Sequence, residues 1–330
     1  MKPTVEPPPF AGPFALGTFS ARGTDAFPGL LVPDGRVLDL VSALDEPGLT
    51  VRSLLERWAD ALPRLHELSQ DRGREWLPLR GLRVHAPVEP RQIFQSGANY
   101  RTHVIELAVA HEPAGGRPPE QVRAETAAMM DRRAAGDQPY MFIGLPSAII
   151  GPYDDVVLPS WCEKPDWELE LAAVIGRPAF RVDPGQALAH VAGYTIANDL
   201  TARELVFRRD MPGLGTDWLR SKNAAGFTPL GPWLVPAAFA GDPSDLQVTL
   251  TLNGRVMQDE STKDMIFDVA RLVAYASRTT TLLPGDLVLT GSPAGNGLHW
   301  GRLLRDGDVM EGSITGLGVQ RARCVAEQVK

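Results

Sequence analysis

Asp166-Trp167-Glu168-Leu169-Glu170-Leu171-Ala172-Ala173-Val174-Ile175-Gly176 alternates acidic with apolar residues and then runs apolar without a break. Alternation of this kind predicts a β-strand with one wet end, with Glu168 and Glu170 on one face and Trp167, Leu169 and Leu171 packing the other. Two carboxylates held side by side repel each other, so a positive charge must lie between them or one must keep its proton. On the solvent face of a half-exposed strand a Glu-x-Glu pair would need neither, and the surroundings decide. Downstream, Val191 to Asn198 reads as a second apolar strand that runs into Asp199. Three carboxylates at strand ends point to a site for a hard cation.

The chain around this stretch has 330 residues, long for one domain on a prior of about 150 residues each, so two units are expected. Hydrophobic residues make up 44% of it, enough for a full core, and the formal net charge is −7. No Lys/Arg run is long enough to follow a phosphate backbone, which argues against nucleic acid as the main partner. Cys162 and Cys324 are the two cysteines, without a CxxC pair, which fits reduced thiols and a cytoplasmic setting. The start, Met1 to Pro9, lacks an apolar leader core, and no uncharged apolar run is long enough to span a bilayer.

Before the acidic strand, residues 14–19, 29–32 and 36–40 read as short strands with a Pro33-Asp34-Gly35 turn. A helix follows, with Thr50 as N-cap and Val51, Leu54, Leu55 and Trp58 on one buried face. Together these predict a small amino-terminal α/β domain over residues 1–87, and a larger domain over 88–330. The larger domain opens with a strand at Ile93–Gly97 and a helix start at Asn99-Tyr100-Arg101, with Asn99 as a possible cap. His103 and Glu106 sit three apart, so they share a helix face and can hydrogen-bond. An imidazole oriented by a carboxylate is a suitable general base near neutral pH. An exposed ion pair of small value is the plainer alternative. Residues 108–140 are polar and contain one amphipathic stretch, Pro119 to Arg133, an insert whose position suggests a mobile lid or a surface decoration.

Beyond Asp199, Leu200 to Arg209 is expected to be helical. Its Arg203 would orient a carboxylate or neutralise a substrate acid, if it is not simply a surface arginine. Lys222 is a lone ammonium in an apolar, Gly/Pro-bent segment, placed to stabilise developing negative charge. Asn253-Gly254 is a hairpin turn, a helix is expected around Ile266 to Tyr275, and Leu287–Thr290 is a strand. The glycine-rich loop Gly291-Ser292-Pro293-Ala294-Gly295-Asn296-Gly297 lacks the GK[ST] ending of a phosphate loop, so a nucleotide reading is rejected. It is expected to let backbone approach a small ligand.

These motifs, in this order over roughly residues 88–318, resemble the fumarylacetoacetate hydrolase family. The likeness is carried by Asn99-Tyr100 with His103 and Glu106, by Glu168-Leu169-Glu170, by Gly193-Tyr194-Thr195-Ile196-Ala197-Asn198-Asp199, by Lys222 ahead of Phe227-Thr228-Pro229-Leu230-Gly231-Pro232, and by Pro284-Gly285-Asp286 to Pro293. The resemblance implies an α+β fold, a mixed β-roll or β-sandwich with a smaller amino-terminal domain, and a homodimer. It implies Glu168, Glu170 and Asp199 as ligands of Mg²⁺, or of Mn²⁺ or Ca²⁺. His103 held by Glu106 would deprotonate water, Lys222 would hold an enolate, and Tyr100, Arg203, Thr290, Gly291 and Ser292 would contact the substrate. The implied reaction is hydrolysis of a C–C bond in a 2,4-dioxo acid, an acylpyruvate or a relative of fumarylacetoacetate, giving a carboxylic acid and a 2-oxo acid. The alternatives are a decarboxylase, isomerase or hydratase of a 2-oxo or 2-hydroxydienoate acid, or an inactive metal- and acid-binding protein. The chain departs from common family residues at Gly144, Val206, Ala225 and Gly226.

Overall fold

A computed structural model describes residues 10–113 and 115–328. The start of the chain, Met1 to Pro9, read above as lacking a leader core, lies outside these residues. The fold is mixed α/β and is organised on a six-stranded sheet in the order Val235–Pro236, Val191–Asn198, Leu169–Ile175, Leu287–Leu289, Ile93–Gly97 and Tyr140–Gly144. Leu169–Ile175 lies inside this sheet, antiparallel to both neighbours, and all seven of its residues are buried. A strand buried on both faces reads as a continuous apolar run, so the alternating pattern is confined to the end where the carboxylates sit.

Each face of that sheet has its own core. Trp167, Leu169, Leu171, Ala173 and Ile175 join a cluster with Leu272 and Val273 of the helix Val269–Thr279. The same cluster takes in Val248, Leu250, Met310 and Ile314 from a second, five-stranded sheet ordered Arg255–Ser261, Gln247–Leu252, Val309–Ile314, Gly318–Ala326 and Val156–Leu158. Ala172 and Val174 face the opposite way and pack with Leu16, Leu30, Leu54 and Leu55 of the amino-terminal segment. That segment forms its own five-stranded sheet, from Ala15–Ser20 to Arg83–His85, and is stitched on by Leu16 and Leu234, which exchange backbone hydrogen bonds of 2.9 and 2.8 Å. No described helix is long and apolar enough to cross a membrane.

Local signals and tertiary pull differ at four places. Thr50 caps its helix through a capping box with Ser53, but that helix is only Val51–Leu55, and a second, Trp58–Gln70, continues the expected buried face. The expected helix over Leu200–Arg209 does not form. Thr201–Ala202 pairs with Pro165–Asp166, and only a short 3₁₀ turn, Arg203–Leu205, follows, because Asp166 captures the Arg203 side chain at 2.7 Å. Asn99 does not cap the helix Arg101–His111, whose cap position is Tyr100. Its side chain instead donates to Phe267 O and Thr290 O and accepts from the Phe267 N–H, a cross-tie between three segments. The helix expected around Ile266 begins later, at Val269, because Asp268 caps it by accepting from the Arg271 N–H.

The insert is helical: Arg101–His111 is followed by Pro119–Gly136, whose Val122, Thr126 and Met130 are buried. Arg101 bonds Asp131 across the pair at 2.9 Å, and Arg271 donates to Ala134 O at 2.8 Å. The helix bearing His103 is thereby held over the end of the central sheet.

Candidate metal centre

Glu170 belongs to the strand Leu169–Ile175, Glu168 immediately precedes it, and Asp199 follows its antiparallel neighbour. The Glu168 N–H donates to Asn198 Oδ1 at 3.0 Å and the Asp199 N–H donates to Glu168 O at 2.8 Å, so the two strand ends are fixed against each other. As a result the three carboxylates each offer an oxygen within 4.8 Å of the others. The expected shared face holds, but the end is not wet: Glu170 and Asp199 are each 1% exposed and Glu168 9%.

Burying three like charges must show in their protonation. Burial, with Asp199 and Glu168 beside it, pushes the Glu170 carboxyl well above its ordinary range. Asp199 is pushed up to about 6 by burial, with Lys222 pulling the other way. For Glu168 burial also works upward, but Arg203 and Lys222 outweigh it and hold the carboxyl low. An all-oxygen, buried, mutually repelling set suits a hard divalent cation better than zinc. Near it, Tyr100 Oη and Gln95 Oε1 are buried without a hydrogen-bond partner in the structure, so polar capacity around the cluster exceeds what the side chains satisfy.

Two cations of the chain already address these carboxylates. Lys222, 2% exposed on the short helix Trp218–Lys222, spends its three donors on Glu168 Oε2 (2.5 Å), Asp199 Oδ2 (2.6 Å) and Asp199 O (3.0 Å). Read from sequence as the holder of an enolate, it stands here as the charge-balancing partner of two ligands. Arg203 is also committed: Nε donates to Asp166 Oδ2 at 2.7 Å and Nη2 to Glu168 Oε1 at 2.6 Å. Of the roles open to it, orienting a carboxylate is the one the contacts show. A substrate carboxylate would have to compete with two buried acids.

His103, 7% exposed, is close enough to Glu168, Arg203 and Lys222 to feel their charges. Burial brings its imidazole down to about 4; Glu168 works against that, while Arg203, His299 and Lys222 assist. The ring is therefore neutral at ordinary pH and able to accept a proton. Its expected partner is elsewhere: Glu106 Oε2 lies 2.8 Å from His299 Nδ1. The i,i+3 spacing allows a bond to His103, but the short helix Gly297–Trp300 brings a second imidazole to the same carboxylate.

The glycine-rich loop approaches the carboxylate strand closely. Gly291, at φ 87°, donates its N–H to Glu170 Oε2 at 2.7 Å, and a Cβ there would stand 3.0 Å from Asn99 Cβ and 3.1 Å from Ser96 O. Thr290 Oγ1 donates to Leu171 O at 2.9 Å, and Ser292 Oγ lies 2.8 Å from Gln258 Nε2. Thr290, Gly291 and Ser292 thus brace the carboxylate strand.

Sequence reasoning missed Gln95, Asp166, Asn198 and His299. Gln95 is 1% exposed and donates from Nε2 to Asp199 Oδ1 at 2.5 Å. Its signal was present as an amide inside the apolar strand Ile93-Phe94-Gln95. Gly144, one of the departures, is explained by it, since a Cβ there would meet Gln95 Oε1 at 2.8 Å.

A family model described as fumarylacetoacetate (FAA) hydrolase C-terminal matches residues 92–325. A 2,4-didehydro-3-deoxy-L-rhamnonate hydrolase of Sphingomonas sp. (strain SKA58) is 36% identical over 311 residues, covering 92% of this chain and 93% of that one. The human mitochondrial oxaloacetate tautomerase FAHD2B is 41% identical over 184 residues, which span 55% of this chain and 57% of that protein. Among solved structures, a fumarylacetoacetate hydrolase from psychrophilic Exiguobacterium antarcticum superposes with a TM-score of 0.72 at 28% identity, over 95% of this chain and 100% of that one.

Proposed function

The chain belongs to the fumarylacetoacetate hydrolase family, and we propose that it hydrolyses a C–C bond of a 2,4-dioxo acid at a divalent-metal site, releasing a carboxylic acid and a 2-oxo acid. The observation that carries the reading is the buried triad of Glu168, Glu170 and Asp199, with a neutral imidazole, His103, within electrostatic reach of Glu168. The hydrolase from Sphingomonas, named for a 2,4-didehydro-3-deoxy acid, supports that substrate class.

Glu168, Glu170 and Asp199 would hold Mg²⁺, with Mn²⁺ or Ca²⁺ as alternatives. When bound, such a cation supplies a grip on adjacent carboxylate and carbonyl oxygens, and Lewis acidity toward developing negative charge. The remaining steps belong to the chain. His103 accepts a proton from water, which its low basicity allows only if attack on the carbonyl proceeds as the proton leaves. Lys222 reaches an enolate oxygen by releasing one of its two carboxylate partners. Arg203 and Gln95 keep Glu168 and Asp199 aimed while this happens. His103 then returns its proton to the leaving carbon.

A second reading is tautomerisation or isomerisation of a 2-oxo acid, which moves protons without adding water. The likeness to the oxaloacetate tautomerase favours it, and so does Glu106, which is turned to His299 and not to His103. The deciding experiment supplies 2,4-dioxo acids and Mg²⁺ to chelator-stripped protein in ¹⁸O-labelled water. Hydrolysis places label in the new carboxylate and stops when metal is withheld. Enol–keto exchange of oxaloacetate without label in any carboxylate establishes the second reading.

Three coarser elements complete the proposal. The fold is taken as the family's β-roll, the assembly as a homodimer, and the compartment as cytoplasmic, where Cys162 and Cys324 would stay as the free thiols seen here.

A further inference from the structure

Glu106 stands one turn from His103 on the helix Arg101–His111, yet its carboxylate is held from outside that helix, by His299 Nδ1 at 2.8 Å. His299 is itself well anchored. The helix Gly297–Trp300 starts from Asn296, whose Oδ1 accepts the His299 N–H at 3.1 Å, and the Gly297 N–H donates to Asp166 Oδ1 at 2.5 Å. The other oxygen of Asp166 holds Arg203, and Arg203 holds Glu168. A path therefore runs from the His103 helix through Glu106 to His299, along the backbone of the helix Gly297–Trp300 to Asp166, and on through Arg203 to a carboxylate of the triad. Outside that backbone stretch each junction is a hydrogen bond to a carboxylate, the stronger kind. A glycine opens the short helix because a Cβ at Gly297 would meet Arg302 O at 2.5 Å and Asp166 Oδ1 at 2.6 Å.

We infer that His299 is a positioning residue: it clamps Glu106 and thereby fixes the helix that presents His103 to the carboxylate triad. The clamp touches neither substrate nor reacting atoms. It acts on where His103 stands, and the same wiring gives Glu168 and the His103 helix a common anchor in Asp166. The structural part of this inference is independent of the reaction; its kinetic part rests on the hydrolase reading above.

His299→Leu removes the donor, while His299→Asn keeps an amide N–H near the place of Nδ1. Hydrogen exchange on the full chain, without substrate, should show residues 101–109 opening about tenfold or more faster in His299→Leu and within about threefold of wild type in His299→Asn. Exchange in the distant strand Gly318–Ala326 should stay as in wild type, which controls for folding. Glu106→Ala should give the same acceleration, and the Glu106→Ala/His299→Leu double variant should add nothing to it. In turnover of a 2,4-dioxo acid, His299→Leu should lower kcat by about tenfold with little change in KM, and His299→Asn should restore it. Unchanged exchange in His299→Leu, or a double variant whose acceleration is the product of the singles, overturns the clamp. If exchange behaves as expected but wild type cleaves no 2,4-dioxo acid, the clamp stands and the hydrolase reading falls.

Discussion

At the scale of single residues, His103 combines burial with basicity in a way that has a measurable sign. In the folded chain its imidazole loses its proton at about 4 instead of 6.5, mainly because burial disfavours the charged ring. The unfolded chain binds that proton through the interval, so the contribution of the neutral ring to stability is complete above 6.5 and is lost as pH falls toward 4. His103→Gln removes the titration. The stability advantage of wild type over that variant, measured by urea unfolding, should therefore shrink by roughly 1 kcal/mol between neutrality and about pH 5.5. A pH-independent difference would show that His103 is already solvated or paired. The chemistry at this scale was legible where it followed a strand pattern: Glu168, Glu170 and Asp199 converge as the alternation and the second strand predicted. What the sequence hid was competition for partners. Lys222, Arg203 and Glu106 each have several geometrically possible partners, and only the packed fold shows that Glu168, Asp166 and His299 take them.

Among the elements, the insert joins a packed helix to a connection held by surface ion pairs. Pro119–Gly136 buries Val122, Thr126 and Met130, whereas Arg117, just before it, is held by ion pairs with Glu112 and Glu125 at the surface. Pairs of that kind contribute little stability, so the connection should open first. Limited digestion with a broad-specificity protease should cut between Pro113 and Pro118 and leave Pro119–Gly136 intact at early times. A substrate analogue with Mg²⁺ should slow the cut if the insert closes over the triad, and identical digestion with and without it would leave the insert as decoration. The strands were readable because alternation and turn chemistry are local. The stretch after Asp199 was misread as helix because its fate is decided by a two-residue ribbon with Pro165–Asp166, a contact that no local pattern announces.

For the whole molecule, Phe207 (67% exposed), Leu214 (65%), Leu219 (64%) and Trp161 (50%) are large apolar side chains left at the surface between residues 161 and 219. The proposed homodimer gives these side chains somewhere to go. Sedimentation equilibrium at micromolar concentration should return about twice the mass of the 35.8 kDa chain, and Leu219→Glu should shift it toward the monomer. A wild-type monomer at that concentration would remove the dimer from the proposal. At this scale the family resemblance implied a mixed α/β fold, and the sheets bear out that class. The union of the amino-terminal segment with the central sheet was not legible, since it depends on the Leu16–Leu234 bonds and on a core shared with Ala172 and Val174.

The parallel pairing of Ile93, Phe94 and Gln95 with Leu287, Val288 and Leu289 sets a timetable for biosynthesis. The segment bearing Gln95 leaves the ribosome long before its neighbour on that side exists, and at ordinary elongation rates it waits roughly ten to forty seconds. Throughout that interval one edge of the strand is open, and for its second half Asp199 is made but lacks its finished surroundings. A messenger that stalls between the codons for Asp199 and Leu287 would therefore leave chains in which all three carboxylates are made and the strand beside Gln95 is missing. Such chains expose an unpaired strand edge, a feature prone to wrong pairing.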